Sequence, residues 1–279
     1  MEKFKLVEGF NPKCSNEQYH GDMEYRSSSA LKMMLKDPRQ YYKNYVLNEP
    51  QNFNSDALSI GSYIHTRILE PHLVEEEYAL YTGSRRSGDV WKEFKEKAES
   101  ENKTIITGSQ KQLADTMIDN FEKAHVTLGM PGNEKDVLIS SFFKDGAAEE
   151  TLAGVLNDYK VKTRFDYRKE FDDFGSINDL KTTGIALGSA TLEDVEDICT
   201  YWGYDLSAAL YVDLVTKQTG KPHDFYFVFL SKKDFQTRIF KASEGMLERG
   251  RAMYKEAIER LKEAEKTGVY FENKIMELR

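Results

Sequence analysis

Two short runs, VKTRFDY at 161–167 and GSINDLK at 175–181, stand either side of a polar turn from Glu170 to Phe174 and set the architecture around them. In the first, Lys162, Arg164 and Asp166 alternate with Val161, Thr163, Phe165 and Tyr167, the two-residue period of a strand with one polar face. In the second, Asp179 and Lys181 are two apart, so both leave the same face of a strand while Leu180 points to the other. A carboxylate and an ammonium on one face, beside a strand offering Asp166, can hold a hard divalent ion and a lysine over one phosphodiester. Magnesium keeps most of its waters, so two aspartates with a third acid or a backbone carbonyl suffice. A bare D-x-K is more often a cross-pair on an exposed strand. Its weight therefore depends on what surrounds it.

Upstream, Ser27, Ser28 and Ser29 precede an amphipathic run using Leu31, Met34 and Leu35, which predicts a serine-capped helix ended by Asp37-Pro38. Ala57 to Leu69 reads as a helix with Ile60, Ile64 and Ile68 on one stripe, and with His65 beside Gly61 on a neighbouring face. Residues 78–107 read as polar and basic, with Arg85-Arg86-Ser87-Gly88 as a loop and Trp91 to Ala98 as a short helix; Gln110 to Leu128 reads as a further helix. Downstream, Thr191 caps a helix from Leu192, and Tyr204 to Thr219 forms another after Gly203. Asp224 to Leu230 is a buried strand by composition, pairing with Thr237 to Lys241, and Ser243 to Lys266 closes the chain as a charged helix.

At 279 residues, with 40% hydrophobic and 31% charged residues and no internal repeat, one α/β domain is expected: an extension over 1–24, a domain over 25–268 and a tail over 269–279. Within the domain, 25–130 is mainly helical, 148–242 holds the sheet, and 243–268 is the last helix. Two cysteines, Cys14 and Cys199, exclude a four-thiolate metal site and give no disulfide framework. No apolar run approaches the roughly 20 residues needed to span a bilayer, and MEKFKLVEGF does not read as a signal peptide, so a cytoplasmic protein without membrane partners is expected. A net charge of −8 opposes general nucleic-acid binding, leaving room only for a locally basic path.

Asp166, the Asp179-Leu180-Lys181 run, and the acids Glu149 and Glu150 before the first strand together match the PD-(D/E)-x-K nuclease signature, with Phe165 at its proline position. The ordered stretches SSSALKMMLKDPRQYY (27–42), GSYIHTRILEP (61–71), RRSGDVWKEF (85–94), KTRFDYR (162–168), INDLKTT (177–183), YDLSAALY (204–211) and FYFVFL (225–230) resemble the RecE (exonuclease VIII) branch of that superfamily. The resemblance implies a restriction-endonuclease-like α/β core, a mixed central β-sheet flanked by helices, with an N-terminal helical region. It also implies ATP-independent, Mg2+-dependent digestion of duplex DNA from the 5′ end, with Mn2+ able to substitute, leaving 3′ overhangs for recombination by single-strand annealing. Duplex ends, a homo-oligomeric ring, tetrameric in the family, and an annealing protein of the RecT type are the implied partners.

Carried over residue by residue, Asp166 and Asp179 are the metal-ligating aspartates, Leu180 lends its carbonyl, and Lys181 positions the nucleophile. His65 approaches the metal as a ligand or just behind one, since magnesium prefers oxygen. Glu150 is preferred as the upstream acid over Glu149, although a one-residue slip exchanges them. For DNA, the candidates are Arg85 and Arg86 on phosphate, Ser27 and Ser29 at a helix N-terminus, and Tyr204 and Tyr211. Ser207 stands where the wider superfamily often has glutamine, which shortens the polar reach there. Two other readings stay open: an endonuclease or single-strand-processing nuclease, and a non-catalytic DNA-binding module that keeps the fold.

Overall fold

The computed structural model describes residues 4–12, 14–49 and 56–271, with the backbone alone at 56–58. The chain enters through β1 (Gly9–Asn11), α1 (Asn16–Gly21) and β2 (Arg26–Ser27). Ser27 then accepts a hydrogen bond from the Ala30 N–H and starts α2 (Ser28–Lys36), which buries Ala30, Leu31 and Met34; Asp37 ends it and caps α3 (Pro38–Tyr41). Next come α4 (Asp56–Leu69), α5 (Val74–Glu77), β3 (Tyr78–Tyr81), α6 (Asp89–Ser100), β4 (Thr104–Thr107) and α7 (Gly108–Lys123). A hairpin of β5 (His125–Leu128) and β6 (Lys135–Leu138) leads into β7 (Ala147–Leu156), β8 (Tyr159–Glu170) and β9 (Gly175–Thr183). Helices α8 (Leu192–Trp202) and α9 (Tyr204–Thr219), strands β10 (His223–Ser231) and β11 (Thr237–Lys241), and α10 (Glu244–Thr267) complete it.

The main sheet runs β1-β7-β8-β9-β10-β11, with β2 also on β8. Only β9–β10 and β2–β8 are parallel pairs within it, so the sheet is mixed as expected. Both faces are covered, which the FYFVFL run explains. Phe225, Phe227 and Phe229 join the core formed with α2, α9 and α10, while Val228 and Leu230 join Leu180, Ile60, Ile64, Met117 and Phe121 on the face of α4 and α7.

Four expectations shift. The segment before residue 25 is built into the sheet rather than appended: Phe10 of β1 pairs with Leu152 of β7, and Tyr19 and Tyr25 pack with Leu6 and Ala153. The helix expected to reach Leu128 stops at Lys123, because the β-branched Val126 and Thr127 pair instead with Val137 and Asp136. The polar 78–107 region contains a parallel pair, β3 with β4. The last helix, read from its charges as solvent-facing or oligomer-contacting rather than DNA-binding, packs one face into the core: it buries Leu247, Tyr254, Ile258 and Leu261, and Arg251 clasps Asp213 of α9.

Strands β8 and β9 are paired only from Tyr167–Asn178 to Glu170–Gly175. Beyond that point β2 takes the edge of β8, at Val161 and Lys162, while β9 continues along β10 to Thr183. The strands part, and the residues of the D-x-K motif stand at the opening. A second irregularity sits at the same place. Phe165 packs edge-on against Tyr211 of α9, yet Tyr167 packs against Phe143 on the opposite face. Residues two apart on a strand normally share a face, so the alternation of β8 breaks at Asp166. Opposite it on β7, between Ala148 and Glu150, Glu149 adopts a left-handed φ of 49°.

Candidate active site

The broken alternation decides which acid reaches the opening. Glu149, at the kink, turns its carboxylate toward Asp166 and His65, and one donor atom from each of these three lies within 4.8 Å of the others. Glu150 is directed away: its Oε2 accepts a 2.6 Å hydrogen bond from Arg168 Nε, and Arg168 also bonds Glu170. The structure thus places Glu149, not Glu150, beside Asp166. A regular two-residue period could not show it, since the period itself fails there.

Asp166 Oδ2 accepts the Leu180 N–H at 2.7 Å, bridging the gap between β8 and β9. The same oxygen lies 3.7 Å from His65 Nδ1 and 3.9 Å from Lys181 Nζ. Asp179 is buried, with Oδ2 2.5 Å from Lys181 Nζ. The Leu180 carbonyl faces the same space, accepting from Lys181 Nζ at 3.3 Å and from the His65 ring. His65 reaches there because α4 lies close on β9: a Cβ at Gly61 would come within 3.3 Å of Thr182 Oγ1, a tight contact that the threonine side chain would have to relieve. The structure therefore brings Asp166, Asp179, Leu180, Lys181 and His65 together.

The electrostatics are those of acids crowded together. Burial, then the neighbouring Asp166, pushes the Glu149 carboxyl up to about 8, with Glu70 adding to the rise. Burial pushes Asp179 up to about 6, Asp166 raising it further against the pull of Lys181. Asp166 is also raised by burial, with Lys181 and the Leu180 N–H opposing. Burial and the Lys181 charge push His65 down to about 4, leaving its ring neutral and able to ligate. Burial works against the Lys181 charge, but Asp179 and Asp166 outweigh it and hold the ammonium above the ordinary lysine range.

Among the DNA candidates, Tyr204 stacks on Phe227 and lies under Lys181, 5.5 Å from its Nζ. Tyr211 packs against Phe165 and Phe225 and hydrogen-bonds Ser28, so it supports α2 from the core. Ser27 is occupied in capping α2, and Ser29 is exposed on its first turn. Arg86 lines a separate hollow of about 360 Å3 with Thr82, Ser84, Thr107 and Ser109, and the Arg85 carbonyl is tied to Tyr81 Oη. Ser207 is partly buried on α9. Sequence reasoning missed Lys32. It lies on α2 with Nζ 5.7 Å from the Tyr204 ring; burial, then Lys181, lowers its pKa to about 8. No signal in the sequence singles it out, since it reads as one polar-face lysine of a capped helix.

Residues 27–270 match the family model described as a PDDEXK-like domain of unknown function (DUF3799). The chain belongs to that family. It is thereby a member of the PD-(D/E)XK nuclease superfamily, whose members generally use divalent metal ions. None of the curated proteins matches the sequence significantly. A solved structure of a candidate exonuclease from Eubacterium rectale aligns over 93% of this chain and 89% of its own, with 18% identity and a TM-score of 0.63, a likeness of fold. The structure of SSO0001 aligns over 83% and 84% with 12% identity and a TM-score of 0.29, too slight to carry an argument. Among the described residues, no helix is long and apolar enough to cross a membrane.

Proposed function

We propose that this PDDEXK-like protein is a divalent-metal-dependent DNA nuclease acting through His65, Glu149, Asp166, Asp179, Leu180 and Lys181. The convergence of His65, Glu149 and Asp166 donor atoms within 4.8 Å, beside the Asp179–Lys181 pair, carries the reading. The donor set fits such an ion: clustered carboxylates with raised pKa values, a backbone carbonyl and a neutral imidazole. Oxygen donors predominate, which suits Mg2+, and the imidazole suits Mn2+ as a substitute. Bound there, the ion would supply an activated water and charge stabilisation at the cleaved phosphodiester.

The protein's own residues do the rest. The Asp166 and Asp179 carboxylates, one pinned by the Leu180 N–H and the other by Lys181, offer oxygens in fixed directions. Lys181 keeps its proton while these carboxylates face it, so Nζ donates to a phosphate oxygen or to the attacking water. Tyr204 forms one wall, its ring centroid 5.5 Å from that ammonium.

Within this class, the sequence resemblance favours a Mg2+-dependent, ATP-independent 5′ to 3′ exonuclease on double-stranded DNA ends. It would act as a cytoplasmic homo-oligomeric ring, a tetramer, and hand 3′ overhangs to an annealing partner of the RecT type. The test is a linear duplex labelled at one 5′ end, incubated with Mg2+ or Ca2+, beside a covalently closed duplex. Release of labelled nucleotides from the linear substrate with Mg2+ alone is expected. Cutting of the closed circle would favour an endonuclease; no cleavage by the wild type, or undiminished cleavage by Asp179→Ala, would overturn the nuclease reading.

A further inference from the structure

A chain of net charge −8 needs a local path if it is to hold DNA, and α2 and α8 supply one. Lys32 and Lys36 are four apart on α2, so their side chains follow one stripe. Lys32 Nζ sits 5.7 Å from the centroid of the Tyr204 ring and Lys181 Nζ 5.5 Å from the same centroid, so one tyrosine ring meets both ammonium groups. Farther along the stripe, Lys36 Nζ lies 4.8 Å from the centroid of Tyr201, whose ring meets Trp202 edge-on at 4.9 Å. Tyr201 is 67% and Trp202 54% exposed, large values for adjacent aromatic side chains that no core requires.

The lysine and aromatic rows fit together because of Gly203. It ends α8 in the left-handed conformation, with φ 60°, and a Cβ there would come within 2.9 Å of Lys32 Cδ. The acids of α8, Glu193, Asp194, Glu196 and Asp197, all stand in its first half, and the positive charge beside its aromatic end comes from Lys32 and Lys36 of α2.

We propose that Lys32, Lys36, Tyr201 and Trp202 form a track for unpaired DNA leading from the active site to the surface, with phosphates against the lysines and a nucleobase stacked on the exposed aromatic pair. This rests on the nuclease reading for the identity of the strand. A cationic row beside π-faces is the chemistry that holds single strands without regard to sequence. The track ends beside Lys181, so a nucleotide seated on it delivers its phosphodiester to the metal-binding acids.

The protein has two tryptophans, so Trp91→Phe leaves Trp202 as sole reporter. With Ca2+ replacing Mg2+, that protein is titrated with an oligothymidylate and with the same backbone carrying abasic sites. Saturable quenching by the oligothymidylate and none by the abasic chain is expected. Tyr201→Ala with Trp202→Ala, both exposed positions, should weaken single-strand affinity about tenfold, read by the polarisation of a labelled oligonucleotide. Absent quenching, equal quenching by the abasic chain, or unchanged affinity of the double variant overturns the track. Should Trp91→Phe fail to fold, the emission difference between wild type and Trp202→Leu reports the same signal. Hydrolysis of a duplex end with Mg2+ is scored separately: hydrolysis without quenching sinks only the track, and quenching without hydrolysis sinks only the nuclease reading.

Discussion

The two ends of the β8–β9 pair place acids in opposite circumstances. At the paired end, Glu170 bonds Arg168 and Lys221, Glu150 reaches the same Arg168 from its place opposite Phe165, and these cations hold the Glu170 carboxyl below its usual range against desolvation. At the parted end, Glu149 and Asp179 each stand beside Asp166, Lys181 faces the two aspartates, Arg164 lies 3.8 Å from Glu149, and all three carboxyls are raised. Glu149 and Glu150 are adjacent, so neither composition nor position separates them. The difference is the cation supply: Arg168 and Lys221 match the two carboxylates of the first group, whereas Lys181 and Arg164 face three in the second, which is left short of positive charge. A site short of cations is one that a metal ion completes.

The largest effect should separate the two ends in catalysis. Asp179→Ala or Lys181→Ala is expected to cost about 10^3-fold in the rate of duplex digestion, whereas Glu170→Gln should stay within about twofold. Single-turnover rates with Mg2+ measure this, and equal losses at the two ends would erase the distinction.

Metal binding should then stabilise the fold through the parted end alone. At 100 times its dissociation constant, a bound ion adds about 2.7 kcal/mol, roughly 5–10 °C in the melting temperature of a domain this size. Glu150→Gln should keep that rise, and Asp179→Asn should lose it. Without metal the order reverses. The raised carboxyls bind protons more tightly folded than unfolded, so their contribution is favourable at low pH and is lost as pH climbs from the ordinary carboxylate range toward about 8. Asp179→Asn should accordingly melt higher than the wild type at pH 8 in chelator. Calorimetric scans across pH decide both.

A smaller consequence is proton release. At pH 7 Glu149, held up at about 8, is mostly protonated while Asp179, at about 6, is mostly ionised. Metal uptake should therefore expel about one proton, and the apparent affinity should fall as pH drops below 8. Titrations in buffers of different ionisation enthalpy read the number directly; a value near zero would mean that Glu149 is not a ligand. The least effect is structural. Glu150→Gln weakens an ion pair whose cation retains Glu170, a loss of about 1 kcal/mol or less.

Much of the fold is legible in the residues because local signals agree with the tertiary outcome. Ser27, Thr191 and Ser243 cap the helices that begin after them, and FYFVFL is apolar on both faces because both faces are covered. The D-x-K spacing also survives, since β9 is regular along β10 from Gly175 to Thr183. What is not legible depends on departures from regularity or on distant packing. The choice between Glu149 and Glu150 turns on a kink that only the pairing of β7 with β8 reveals. Lys32 looks like any helix-surface lysine until Gly203 lets its stem pass toward Tyr204. The strand at His125–Leu128 loses its helical continuation only because a partner at Lys135–Leu138 is available.

The central claim is that the chain's acids converge on a cation site at the parted end of β8, with Glu149 as its third carboxylate. Mn2+ binding followed by electron paramagnetic resonance on wild type, Glu149→Gln and Glu150→Gln tests it most directly. The account predicts one tight site in the wild type, affinity weakened about tenfold or more in Glu149→Gln, and unchanged affinity in Glu150→Gln. Loss of binding in Glu150→Gln with retention in Glu149→Gln, or no Mn2+ bound by the wild type, would contradict it.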